Sequence, residues 1–330
     1  MNAPVTLPAF ADVEEAAARL RGRAVRTPLI ESPALNARLG ARVLLKAETL
    51  QVSGSFKFRG AYNRISRLDE DERRRGVVAY SSGNHAQGVA AAARIVGTPA
   101  VIVMPSDAPA VKVAGVRAFG GEVRLYDRWT ESREAIGAEI ARERGSVLVP
   151  PFDDFHVIAG QGTMGLELAE QAREAGAELD TVLVGASGGG MIAGAGLALE
   201  RLAPKAEVWV VEPAGYDDHR RSLEAGERTG HPAAEPSICD ALMAPMPGEI
   251  TFPINRRRLK GALGVTDAEV AEAMRYAFSA LKLVVEPGGA VSLAALLSGK
   301  LPVEGRTVAA VLSGGNVDPG LYGRILAGEL

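Results

Sequence analysis

Eight short valine-rich runs recur along the chain, and they limit its fold more than any other feature. They are "RVLLKAE" (42–48), "GVVAYS" (76–81), "PAVIVMP" (99–105), "GEVRLY" (121–126), "SVLVP" (146–150), "DTVLVGA" (180–186), "EVWVVEP" (207–213) and "TVAAVLSGG" (307–315). Most are continuously apolar rather than alternating, the pattern of strands covered on both faces. Helical stretches such as "NHAQGVAAAARIVG", "GTMGLELAEQAREAG" and "TDAEVAEAMRYAFSALK" lie between them. Strand alternating with helix predicts an α/β protein of open parallel sheets, joined by right-handed crossovers, with helices on both faces. At 330 residues the chain is long enough for about two domains.

Charge and cysteine usage exclude several classes. The net charge of -3 offers no basic face for nucleic acid. The densest basic run, "NRRRLK" (255–260), reads as a solvated loop or helix end. No stretch of about 20 apolar residues is present to span a membrane. The opening "MNAPVTLPAFADVEEAAARL" lacks the basic-then-apolar order of a secretory signal. Cys239 is the only cysteine, so no intrachain disulfide can form. A reducing, cytoplasmic setting is expected.

Three Gly-rich polar turns follow strand ends: "SSGNH" (81–85), "GASGGG" (185–190) and "SGGN" (313–316). Open α/β sheets bind ligands beyond the carboxyl ends of their strands, so the three turns predict one shared crevice. In "GASGGGMIAG", Gly188, Gly189 and Gly190 run into a helix expected from about Gly190. Side-chain-free N–H groups at a helix N-terminus cradle an anion, here read as phosphate. A dinucleotide reading competes, because Glu212 ends the next strand. The loop departs from G-x-G-x-x-G, with Ala193 at its last position, which weakens that reading. It also leaves unexplained why Lys57 stands between Phe56 and Phe58 in "SGSFKFRGA". An apolar setting penalises the ammonium and leaves a nucleophilic amine. The irregular stretch from about 225 to 254, rich in Pro and Gly, is expected to be either functional or surface wrapping.

Six motifs, in order, carry a resemblance: "SGSFKFRGA", "SSGNHAQGVA", "PFDDFHVIAGQGTMGLEL", "SGGGMIAG", "VEPGGAVSLAAL" and "LSGGNVD". Together the chain resembles the serine/threonine dehydratase and serine racemase family, pyridoxal 5'-phosphate enzymes of fold type II. The resemblance implies a large domain from residues 1–69 plus 152–330 and a small one from 70–151, with the cofactor in the cleft between them. It implies that Lys57 forms the Schiff base with the cofactor aldehyde, which needs a neutral amine. Phe56 then packs on the ring, Asn84 meets its phenolic oxygen, Glu286 lies near it, and Ser313 faces its nitrogen. Residues Ser187 to Met191 (Ser187, Gly188, Gly189, Gly190, Met191) cradle the phosphate. Ser187 stands where many relatives have glycine, and its hydroxyl could add a phosphate bond. Ser81, Ser82, Gly83, Asn84 and His85 hold the substrate carboxylate. A hydroxyl opposite the ring nitrogen makes the cofactor a weaker electron sink, which favours loss of a β leaving group over transamination.

The implied reaction is β-elimination from L-threonine or L-serine, giving a 2-oxo acid and ammonia. Two residues broaden the substrate range toward threo-3-hydroxyaspartate or serine racemisation. Ser82 matches the second acid/base of racemases, against its use as a small turn residue. Arg133 in "YDRWTESREAI" could pair with a second carboxylate, against an exposed helix arginine paired with nearby glutamates. A divalent cation, Mg²⁺ or Ca²⁺, is implied at Glu212, the Tyr216 carbonyl and Asp218, against two solvated carboxylates. His156, His219 and His231 are expected to be structural or exposed. Alternatives are a β-replacing, cysteine-synthase-like enzyme and a nucleotide-binding module without chemistry. The resemblance also implies a homodimer acting on a small amino acid, and the short C-terminal end makes isoleucine control unexpected.

Overall fold

The computed structural model describes residues 6–232 and 235–330. Residues 1–5 of the opening stretch, and 233–234 of the irregular stretch, lie outside the described residues. Among the described residues ten strands form two sheets: β1 Leu29–Glu31, β2 Arg42–Ala47, β3 Val77–Tyr80, β4 Ala100–Pro105, β5 Glu122–Tyr126, β6 Val147–Leu148, β7 Thr181–Gly185, β8 Glu207–Pro213, β9 Leu259–Val265 and β10 Thr307–Leu312. The first sheet has six strands in the order β1-β2-β10-β7-β8-β9. The second has four, β5-β4-β3-β6.

All eight expected strands form. Their continuous apolar character has the expected cause. Along β10, Val308, Ala310 and Leu312 enter one core with the helices Asp267–Tyr276 and Pro287–Leu297. Ala309 and Val311 enter another with Phe155–Glu174 and Gly190–Leu202. Burying each valine or leucine side chain contributes about 1.5–3 kcal/mol, which is the drive that closes both faces. The small sheet is built alike. Val77, Ala79, Ile102 and Met104 face the helix Asn84–Val96. Val78, Val101 and Val103 face the helix Arg133–Arg144.

Two strands escape the sequence pattern. β1 has only three residues, and it pairs antiparallel to β2, so the first sheet is not wholly parallel. β9 carries Lys260, Gly261 and Gly264 and is mostly half-buried, so it lacks an apolar run. The basic run 255–260 ends the helix Thr251–Arg258 and opens β9, rather than forming a loop. Among the described residues of the irregular stretch, one 3-10 turn, Asp240–Leu242, precedes that helix. Among the described residues no helix is long and apolar enough to cross a membrane.

Candidate active site

The strand ends of both sheets converge on one cavity of about 160 Å³. The turn after β3 contributes Ser81, Ser82, Gly83, Asn84 and His85. The turn after β7 contributes Ser187 to Met191, and Ser313 follows β10. Phe56, Lys57, Arg133 and Glu286 complete the expected set within the same lining.

Lys57 is the first residue of the helix Lys57–Ile65. Its Nζ donates to the Pro151 carbonyl at 2.7 Å and lies 5.2 Å from the Phe56 ring centroid. Phe58 is fully buried on the other side. No carboxylate pairs with Lys57 among the described residues, and burial lowers its pKa from 10.5 to about 8. The helix is anchored two residues on by Arg59, which is fully buried. Its guanidinium donates to Glu48 at 2.7 and 2.8 Å and to Glu167 at 2.7 and 2.8 Å. A buried cation held by two carboxylates fixes the rotation of the helix, and so the direction of Lys57.

Two helix N-termini open into the cavity without a side-chain cap: Gly83 before Asn84–Val96, and Gly189 before Gly190–Leu202. Uncapped N–H groups at positive dipole ends are anion sites, and here there are two. One suits a phosphate and the other a carboxylate. The glycines of the second loop also have a packing cause. A Cβ on Gly188 would lie 2.3 Å from the Phe152 ring. Gly189 has φ +91°, a left-handed conformation that side chains resist. Ser187 Oγ accepts from the Ala244 N–H at 3.1 Å, tying the irregular stretch to the loop. The hydroxyl proton is still available to donate.

The ring-side residues form a chain. Asn84 Nδ2 donates to Glu286, and Asn84 Oδ1 accepts from Asn316 Nδ2 at 2.8 Å. Burial raises Glu286 to about 7, with Asp240 adding repulsion and Lys112 opposing it. His85 Nε2 bonds the Val149 carbonyl at 2.8 Å, which fixes the proton there and leaves Nδ1 without a partner. Burial, with the Lys57 charge, lowers His85 to about 3, so it is neutral. Ser313 lends its carbonyl to the Phe56 N–H at 3.1 Å, while its side chain lines the cavity.

Arg133 takes the second of its expected settings, an exposed helix arginine paired with a glutamate. Its Nε donates to Glu134 at 2.7 Å, and its guanidinium lies 5.6 Å from the Tyr80 ring centroid. It is partly exposed, yet it lines the cavity mouth.

The acidic pair lies apart from that lining. Glu212 accepts from the His219 N–H at 2.9 Å and the Arg220 N–H at 3.1 Å, capping the helix Asp218–Ala225. Asp218 is fully buried and both its carboxylate oxygens lack a partner. Burial, together with the Glu212 charge, raises it to about 7. An orphaned buried carboxylate is costly unless a ligand meets it, and this pair fits a cation. His219, expected to be structural or exposed, joins Glu212 and Asp218 within 4.8 Å. The Tyr216 hydroxyl donates to the Glu235 carbonyl at 3.3 Å.

The motifs contain Pro151, Phe152 and Asn316 without a role for them, and they missed Lys112 and Asp240 altogether. A signal existed for Lys112: in "APAVKVAGV" it is the one charged residue of an apolar stretch, as Lys57 is in its own. Asp240 carries no such signal, because its stretch has no periodicity.

The chain is similar to known proteins over nearly its whole length. The model of the family described as "Pyridoxal-phosphate dependent enzyme" matches residues 20–314. An L-threo-3-hydroxyaspartate ammonia-lyase of Pseudomonas sp is 46% identical over 322 residues, covering 98% of this chain and 99% of its own. The L-threo-3-hydroxyaspartate ammonia-lyase of Saccharomyces cerevisiae is 40% identical, with 98% of each chain covered. The solved structure of maize serine racemase superposes with a TM-score of 0.91 at 37% identity, with 98% of each chain covered.

Proposed function

The chain belongs to the pyridoxal-phosphate dependent enzyme family, and from that premise we propose that it is an ammonia-lyase for β-hydroxy amino acids, with threo-3-hydroxyaspartate as its best substrate and L-serine and L-threonine as poorer ones. One observation carries the reading: a low-pKa lysine and two uncapped helix N-termini share one cavity. Relatives named for the hydroxyaspartate reaction support the choice of substrate.

The residues fit the cofactor. Gly188 to Met191 with Ser187 would hold its phosphate, Phe56 its ring face, Asn84 and Glu286 its phenolic side, and Ser313 its nitrogen. When bound, pyridoxal phosphate supplies the electron sink that makes the substrate Cα proton removable. The N–H groups at Ser82 and Asn84 would hold the substrate carboxylate, while that of Gly83 donates to Ser81 Oγ at 3.1 Å and fixes the turn. Lys57 Nζ, neutral above about pH 8, takes the Cα proton. Loss of the β-hydroxyl as water leaves an enamine, which tautomerises to an imine; addition of one water to that imine then releases ammonia and the 2-oxo acid. Dividing the chain into a small domain (70–151) over a large one (1–69 plus 152–330) puts Arg133 and the substrate turn on one wall, and Lys57 with the glycine loop on the other. The working form is read as a cytoplasmic homodimer on family resemblance alone.

Incubating the purified holoenzyme with L-serine, L-threonine and threo-3-hydroxyaspartate, and measuring 2-oxo acid and ammonia, tests this. The acidic substrate should have the highest kcat/KM, and Arg133→Ala should reduce its lead about tenfold, the worth of one exposed charge-assisted pair at the upper end. No 2-oxo acid from any of the three would sink the proposal. Racemisation is the second reading, supported by Ser82 lining the same cavity as Lys57. Chiral analysis of unreacted serine separates the two.

The acidic pair is proposed to hold Mg²⁺ or Ca²⁺ through Glu212, Asp218 and the Tyr216 carbonyl, since hard oxygen donors suit these ions. A chelator should lower activity several-fold, and added Mg²⁺ should restore it. Activity indifferent to chelation would remove the metal from this account.

A further inference from the structure

Lys112 stands on the helix Ala110–Ala118, beyond the end of β4, and lines the cavity. It is only 6% exposed. Its ammonium donates to Asp240 on the irregular stretch, whose own side chain is 46% exposed. An ammonium has three N–H donors. Among the described residues no second acceptor meets this one. Nζ lies 3.7 Å from where a Cβ on Gly83 would stand, so it is beside the turn Ser81–His85. It also acts on Glu286 across the cavity, where it opposes the rise in that carboxyl's pKa.

We propose that Lys112 is a specificity-determining residue: its spare N–H groups receive the side-chain carboxylate of a dicarboxylic amino acid, and Asp240 holds the ammonium when no such ligand is present. The proposal rests on the cavity being an amino-acid site. The other cations there are weaker candidates. Lys57 must stay neutral to act as a base, and Arg133 is exposed and shared with Glu134, so its pull on that carboxylate is screened by solvent. Meanwhile Asp240 and Glu286 line the cavity and would repel a second carboxylate entering it. A buried ammonium with unused donors is the group able to reverse that repulsion, because desolvated charge-assisted bonds are the strong ones. The α-carboxylate does not need it, since the uncapped turn at Gly83 serves that group.

Succinate and butyrate separate the two carboxylates, because they differ only in replacing one carboxylate by methyl. Each is titrated into the holoenzyme by calorimetry. The unaltered protein should bind succinate at least about tenfold more tightly. In Lys112→Met that ratio should fall to near one while butyrate affinity changes less than about twofold. Asp240→Asn should strengthen succinate binding about threefold by removing the competing carboxylate, which keeps the idea testable should Lys112→Met fail to fold. A ratio unchanged in Lys112→Met, equal weakening of both ligands, no succinate preference in the unaltered protein, or Asp240→Asn leaving succinate affinity unchanged would each overturn it. The substrate assay is independent of this one. Succinate preference tracking Lys112 without turnover would retire the ammonia-lyase reading and keep the subsite. Turnover without succinate preference would do the reverse.

Discussion

Lys57→Ala is expected to lower turnover by at least about 10⁴-fold, the scale on which removing a covalent anchor that is also the base acts. The visible absorption of the bound cofactor should vanish with it. The effect is large because no other amine is placed to substitute. Lys112 is held by Asp240, and Arg133 cannot lose a proton. The fold should persist, since the Lys57 ammonium makes one hydrogen bond and no ion pair among the described residues, while Arg59 keeps the helix in place. The pH dependence follows from the same group. Burial depresses the folded pKa to about 8 from 10.5. Below about 8 the group is protonated in both states and the full desolvation penalty is present. Between about 8 and 10.5 the unfolded chain binds the extra proton, so Lys57 lets stability rise with pH through that window. Each unit of depression is worth about 1.4 kcal/mol. Capture of added cofactor by the cofactor-free chain should accelerate as pH rises through about 8, where the amine form appears. Stopped-flow absorbance measures it, and a flat profile from pH 6.5 to 9 would show that this lysine is not the acceptor.

Gly188→Ala is expected to weaken cofactor binding by more than about 100-fold while costing the cofactor-free chain about 1–3 kcal/mol of stability, the usual penalty of overpacking. The added methyl would meet the Phe152 ring at 2.3 Å, and neither side yields easily. Phe152 follows directly on Pro151, the carbonyl that Lys57 grips. The Gly188 carbonyl accepts from the Gly248 N–H at 3.1 Å and the Thr251 hydroxyl at 2.6 Å. If the loop gives way instead, its N–H groups lose their aim at the anion, and that geometry is what binding needs. Absorbance titration with pyridoxal phosphate, beside a thermal melt, separates the two effects. Wild-type affinity in Gly188→Ala would mean that this loop does not carry the phosphate.

Much of the site was legible because chemistry-bearing residues sit in local motifs. Lys57 between two phenylalanines, three glycines before a helix and "SSGNH" after a strand each declare their purpose within about ten residues. Fold class was legible for the same reason, since continuous valine runs have one economical burial. β1 and β9 were not, because a three-residue strand just after a proline, or a strand holding two glycines, looks like loop until a neighbour supplies the ladder. His219 has no metal-like spacing along the chain, and only the turn from β8 into the next helix brings it to Glu212 and Asp218.

By itself, then, the amino-acid sequence determined which groups the site has to work with: a lysine between two phenylalanines, a triple glycine ahead of a helix, and the strands that display them. Tertiary structure alone decided which charges face each other. Lys112 meets Asp240 across 128 positions, and Asn84 meets Glu286 across 202. Electrostatics depends on distance and burial, and sequence separation carries neither, so the pKa of Glu286 and the unspent donors of Lys112 came into being only when the chain closed around the cavity.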